Sequence, residues 1–203
     1  VYKRQIKDSQ KYVPEFLEDI TEKNLNSIHF IKTPNDQLPL FNGGTSLNLS
    51  QIQKYLDSFK PENKNDNLGG LFKIKYKSHF LLIDVDKPPL KKFSKSYQSG
   101  PLSFEYFLDG VKIITNSGFG SHISKKAELL SRHTACQSTL TINDTSITKF
   151  ESNELINSVF GNSIKNSFKF FDVSSTNESK LIGCSGSNNG YEKKFGCVHK
   201  REL

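Results

Sequence analysis

The stretch "GPLSFEYFLDGVKIITNSG", Gly100–Gly118, decides the fold. Two β-patterned runs, Leu102–Leu108 and Val111–Asn116, flank Asp109-Gly110. That dipeptide suits a type I′ turn, whose two central residues both need positive φ. An antiparallel hairpin is therefore expected here. Along it Phe104, Tyr106 and Leu108 alternate against Leu102, Ser103 and Glu105, so its side chains serve packing first and chemistry second.

Outward from the hairpin the same period of two recurs. Upstream, "LFKIKYKS" and "HFLLIDVD" read as two strands meeting at Ser78-His79, and the basic, proline-bearing loop "KPPLKKFSKSYQSG" joins them to the hairpin. Downstream, "AELLSR" suits one helical turn, whereas "QSTLTI", "SFKFFDV", "KLIGCS" and "YEKKFGCVHK" read as further strands. Clusters of Asn, Ser and Gly separate them at the spacing expected of a sandwich.

The first part of the chain follows a different period. After Pro14, the residues Phe16, Leu17, Ile20, Leu25, Ile28 and Ile31 recur at helical spacing, which predicts a helix from Pro14 to Lys32. "LPLFNGG" is a short apolar run with a glycine stop. Ser50 with Gln53 then offers a capping box for a second helix carrying Ile52, Tyr55, Leu56 and Phe59. "KPENKNDN" ends it, and the change of period places a boundary near Glu62 to Asn67.

The chain has 203 residues, with 28 Lys+Arg against 21 Asp+Glu and a formal charge of +7. Such a balance favours a polyanionic partner, and it also suits a merely soluble, lysine-rich surface. No RNA-recognition signature, zinc-finger spacing or helix-turn-helix pattern supports nucleic acid, and the aromatics follow strand periods as core residues do. No apolar run is long enough to span a bilayer. Three cysteines, Cys136, Cys184 and Cys197, form no C-x-x-C. They read as free thiols, with Cys184–Cys197, on either side of "SGSNNG", as the one disulfide worth testing.

Four segments, "LPLFNGG", "GPLSFEYFLDGVKIITNSG", "SRHTACQSTLTINDT" and "NGYEKKFGCVHKREL", together resemble bacterial heparinase II/III-like proteins, in order from about Leu38 to the end. The resemblance implies a polysaccharide lyase with a helical α/α toroid followed by an antiparallel β-sandwich. On that basis residues 6–66 are the end of the toroid and 67–203 the sandwich. The expected fold is mainly β, with two helices leading into it. The opening "VYKRQ", residues 1–5, resembles a translated sequencing-adapter remnant from metagenomic reads, and "FGCVHKREL" reads as a strand without a closing turn. The chain is accordingly expected to be a fragment.

Lyases of this kind remove the proton beside a uronate carboxylate and expel the neighbouring glycosidic oxygen, which calls for a base, an acid and a carboxylate neutraliser. The resemblance puts a sandwich histidine where this chain has Gln98, and glutamine cannot act as a base. In some relatives a structural zinc is implied, with ligands near Gln98 and at Asn116 and Gln137. All three are amides here, poor zinc ligands, so neither a metal nor a cofactor is expected. An amide cluster able to donate and accept is the expected replacement.

Arg132 matches the arginine of the R-x-T segment and is a candidate partner for a substrate carboxylate or an internal acid. Lys91, Lys92 and Lys95, beside the Gln98 loop, and His133 are candidates for glycan contact. His122 reads as a surface histidine. The functional expectation is a fragment of a lyase acting on acidic polysaccharide, inactive alone, in the cell envelope or periplasm. The alternatives are a non-catalytic, glycan-binding or structural β-sandwich, and a cytoplasmic location. The oligomeric state is left open.

Overall fold

The computed structural model describes residues 13–47, 49–58, 60, 67–178 and 181–203. Helix α1, Glu15–Ile31, begins after the extended Pro14 and carries Glu18 in its first turn, which complements the helix dipole. Its apolar face is used unevenly. Phe30 is buried near the C-terminal end, while Phe16 and Ile20 are exposed.

The second helix is shorter than the apolar pattern suggested. A 3-10 turn at Leu49–Gln51 leads into α2, Gln53–Asp57, whose N-cap is Ile52 and makes no side-chain cap bond. The expected Ser50–Gln53 box is displaced by that turn, and Phe59 and most of the boundary region lie outside the described residues. Leu56 is buried, and its carbonyl meets His29 Nε2 at 3.0 Å, tying α2 to α1.

From residue 67 the chain forms an antiparallel sheet in the order β1 (Asn67–Leu68), β2 (Leu71–Tyr76), β3 (His79–Asp84), β4 (Phe104–Leu108) and β5 (Val111–Ile114). The β4–β5 hairpin has the expected turn, with Asp109 at φ 49° and Gly110 at φ 79°. Its faces divide otherwise than expected. Glu105 and Phe107 are fully buried, whereas Phe104, Tyr106 and Leu108 are only half-buried. The register explains this: Phe107 pairs with Phe80 and Glu105 with Leu82. That face meets Phe30 of α1 and Phe41 in one core cluster.

The opposite face of the same sheet forms the sandwich interior. Phe72, Ile83, Val85 and Leu102 pack with Cys184, and Phe104 and Phe170 border them. Cys184 comes from the second sheet, which runs β6 (Phe170–Glu178), β7 (Leu181–Asn188) and β8 (His199–Glu202). Both faces of the larger sheet are therefore covered. This is why its strands read as nearly continuous apolar runs such as "HFLLID".

Two strand expectations and one helical expectation are corrected in part. "QSTLTI" forms no strand; only a bridge from Ile142 to Thr145 remains, because Asn143 and Asp144 turn the chain with φ of 48° and 50°. "YEKKFGCVHK" divides into helix α5, Glu192–Phe195, and then β8. "AELLSR" belongs to a longer helix α3, Lys125–Ser131, started by Ser124, whose hydroxyl accepts from the Ala127 amide at 3.0 Å. A helix α4, Glu154–Phe160, was not foreseen; the Asn153 side chain caps it by accepting from the Leu155 and Ile156 amides. Cys136, Cys184 and Cys197 are all free, with Cys184 in the core and Cys197 exposed, so the candidate disulfide is not formed.

Candidate functional site

The loop 94–100, between the 3-10 turn Lys91–Phe93 and β4, is where distant segments meet. Gln98, 1% exposed, holds it. Its Oε1 accepts from the Gly43 amide at 3.1 Å, and its Nε2 donates to the carbonyls of Gly118 at 3.0 Å and Ser131 at 2.9 Å. Gln137 Nε2 donates to the same Ser131 carbonyl at 2.8 Å. Asn116 Oδ1 accepts from the Ser138 amide at 2.9 Å and from its hydroxyl at 3.1 Å. Gly43 needs to be glycine: at φ 95°, a Cβ there would stand 2.9 Å from Ser96 Cβ.

The structure thus brings Gln98 and Gln137 to one carbonyl and seats Asn116 on the residue after Gln137. These groups do not fit a zinc ion. They are neutral amides, Gln98 is committed to backbone groups through both ends of its side chain, and zinc takes imidazole, thiolate or carboxylate. No group of three or more His, Cys, Asp or Glu residues that could hold a metal ion occurs among the described residues.

Arg132 follows the same structural logic. It is fully buried and donates from Nε to Tyr97 O at 2.9 Å, from Nη2 to Ser94 O at 2.8 Å and from Nη1 to Asn162 O at 2.5 Å. Its guanidinium also lies 4.0 Å from the Phe150 ring centroid. Burial lowers its pKa to about 10. The guanidinium holds backbone carbonyls of the Gln98 loop where a carboxylate partner was envisaged. His133, next in sequence, is exposed and meets the Phe150 ring edge-on at 6.1 Å.

Lys91, Lys92 and Lys95 are all exposed. Lys91 lines a cleft of about 970 Å³ between the segment 86–97 and the segment 164–169. Lys92 instead lies over the Phe93 ring, 4.8 Å from its centroid. The Lys95 stem runs past Gly161, where a Cβ would be 3.2 Å from Lys95 Cγ. His122 lines a separate cavity of about 290 Å³ with Cys136 and Leu130.

Four lysines line the cleft: Lys87, Lys91, Lys165 and Lys169. Lys165 is paired with Glu151 at 3.0 Å. Phe93, Tyr97 and Phe168 supply aromatic surface, and Asp84 and Asp86 are its carboxylates. Asp84, 6% exposed at the end of β3, accepts on Oδ1 from the Asp86 amide at 3.2 Å and on Oδ2 from Asn42 Nδ2 at 3.0 Å. Burial pushes its carboxyl up to about 7. Burial likewise pushes the Tyr97 phenol upward, which keeps it protonated and makes it a poor base.

Asn42 completes the connection. At φ 43° it turns the "LPLFNGG" run so that one end of its amide meets Asp84 and the other, Oδ1, accepts from the Gln98 amide at 3.3 Å. Of the candidates Lys91, Lys92 and Lys95, Lys91 alone lines this cleft, and its other lining residues, Asn42, Asp84, Tyr97, Lys165 and Lys169 among them, were not singled out from the sequence. The available signals were slight: a carboxylate ending the apolar run "FLLID", and a tyrosine beside Gln98. The arrangement suits an anionic ligand rich in hydroxyls, with ammonium groups for charge, aromatic faces for sugar rings and a carboxyl for hydrogen bonding.

Comparison with known proteins gives a consistent result. The family model described as "Heparinase II/III-like, C-terminal" matches residues 61–203. Similar solved structures include the heparan sulfate lyase HepC from Pedobacter heparinus, at TM-score 0.60 and 15% identity, covering 96% of this chain and 32% of that one. A heparinase III matches at TM-score 0.61 and 15% identity, covering 94% and 33%. The heparinase III BT4657 gene product matches at TM-score 0.65 and 14% identity, covering 93% and 31%. At these identities the likeness is one of fold. The chain spans about a third of the length of those structures. No curated protein matches it.

Proposed function

The chain belongs to the heparinase II/III-like C-terminal family, and on that footing we propose that it is the sandwich portion of a lyase acting on acidic, uronate-containing polysaccharide by β-elimination. Residues 6–66 are then the end of the helical toroid and 67–203 the sandwich, in a protein of the cell envelope or periplasm. The observation that carries the reading is the lysine- and aromatic-lined cleft beside the Gln98 loop. Its cations screen a polyanion, and its rings offer faces to sugars.

The chain's own residues bind and orient in this reading. Lys87, Lys91 and Lys169 face the ligand's carboxylates, and Phe93 and Tyr97 bound the sugar path. Gln98 and Arg132 hold the loop in place by backbone hydrogen bonds. The proton-abstracting base comes from residues outside this chain. Calorimetric titration with alginate and heparan sulfate oligosaccharides is expected to show saturable binding, weakened by salt, with none for a neutral cello-oligosaccharide. Ultraviolet absorbance is expected to show no unsaturated uronate released. Release of product by this chain alone would refute the division of labour.

One observation favours a second reading, a non-catalytic glycan-binding or structural sandwich. Gln98 stands where the resemblance places a catalytic histidine, and its side chain is committed to the backbone. In that case the longer protein binds the same glycans and cleaves none.

A further inference from the structure

Asp84 occupies an unusual place for a carboxyl group. On one side it lines the basic cleft; on the other it lines a second cavity of about 270 Å³, whose walls include Ile31, Leu38, Phe41 and Leu71. The second cavity brings apolar side chains and no further charge against it. The carboxyl therefore sits in a partition between a lysine-bordered cleft and the helix-facing core, which is why burial dominates its titration. Two neighbours hydrogen-bond to it, the Asp86 amide and Asn42 Nδ2, one on each oxygen. Neither is a cation, and no ion pair to Asp84 occurs among the described residues.

The charged and titratable groups around it come from each surrounding segment. Asp86 and Lys87 follow on the exit from β3, Lys91 and Tyr97 lie on the next loop, and Lys165 and Lys169 lie across the cleft. Of these, Asp86 raises the carboxyl further by like charge. The lysines give the cleft its positive charge, and Asp84 lines the same cleft.

We propose that Asp84 sets the cleft's affinity for carboxylate-bearing sugars: protonated, it donates a hydrogen bond to the ligand's carboxylate, and ionised, its charge repels that same group. The proton comes from solvent, and no covalent bond changes. The inference rests on the glycan-binding reading above and adds to it a residue and a pH window. The sign is fixed by charge alone. Near neutral pH Asp84 is divided between its two forms, so uronate binding weakens as pH rises through about 7. One like charge in a partly buried site accounts for about a tenfold loss of affinity.

The test is calorimetric titration of the whole chain with an alginate oligosaccharide from about pH 6 to about pH 8, for wild type and Asp84→Asn. Wild-type affinity is expected to fall about fivefold over that range, the part of the tenfold difference that titrates within it, and the variant, which cannot ionise, to keep a flat profile. Because the new amide faces Asn42 Nδ2, the variant's fold is checked by circular dichroism. A second measurement needs no variant: carbon-13 NMR titration of the Asp84 carboxyl, whose pKa binding must raise if protonation and binding are linked. Saturable binding with the same pH profile in both proteins, or a carboxyl titration unchanged by the oligosaccharide, overturns the role of Asp84 and leaves the glycan reading standing. Absence of alginate binding at every pH overturns both.

Discussion

Arg132 shows how a residue's type and its use can part company. From sequence it is an arginine in a motif that suits a carboxylate; in the fold it is a fully buried bracket for the carbonyls of Ser94, Tyr97 and Asn162. Truncating it strands those acceptors and removes the contact with Phe150. We expect Arg132→Ala to lower unfolding free energy by about 3 kcal/mol in urea titration. Arg132→Lys should recover only part, because one ammonium cannot serve carbonyls reached from three guanidinium nitrogens. A near-neutral Arg132→Ala would mean that the guanidinium is free for a ligand after all. Gln98 was singled out through the resemblance, as the position of a family histidine, and the structure gives it a backbone-holding use. Its partners were not legible, since Gly43, Gly118 and Ser131 lie 55, 20 and 33 residues away.

Among the elements, the strands and turns with strong local signals were readable: α1, β2, β3 and the Asp109-Gly110 hairpin follow periods of 3.6 or 2 and a turn dipeptide. What local pattern could not settle was which face of β4 points where. Both faces are covered, so apolar residues on either face give no cue, although the burial itself alternates strictly along the strand. Phe107→Ala should therefore cost about 3–5 kcal/mol, as a fully buried aromatic does, and Phe104→Ala clearly less. Equal costs would contradict the assignment of faces. Helix α4 carried a signal that went unused: Asn153 before "ELINSVF" and Gly161 after it are a cap and a stop. "QSTLTI" misled in the opposite direction. Its β-rich composition is overridden by the Asn143-Asp144 turn and by tertiary bonds such as Thr139 Oγ1 to Pro101 O at 2.6 Å.

For the whole molecule, two buried titratable groups pull stability in opposite directions. His199, in β8 and paired through Nδ1 with Asn188 Nδ2 at 3.2 Å, is lowered to about 4, chiefly by burial and then by Arg201. Its unfolded form takes up a proton first as pH falls, so stability is lost between about 6.5 and about 4. Asp84 is raised from 3.8 to about 7, so the folded state holds the extra proton and stability is lost as pH rises across that window. Asp84→Asn should remove the loss that develops as pH rises toward about 7, and His199→Gln the loss that develops as pH falls toward about 4, in thermal unfolding followed against pH. Profiles unchanged by either substitution would contradict the burial of that group.

At the same scale, the two-layer architecture was readable from the change of period, and the cleft was not. It is assembled from segments near residues 42, 84–97 and 164–169, which no local pattern connects. Its basic lining gives the account its central claim, that this surface carries an acidic glycan. The most direct measurement is calorimetric titration with an alginate oligosaccharide of wild type against the charge-reversed Lys87→Glu/Lys169→Glu chain. Saturable wild-type binding and at least a tenfold loss in the variant are expected for two reversed charges. Equal affinity in the two proteins, or no wild-type binding, would contradict it.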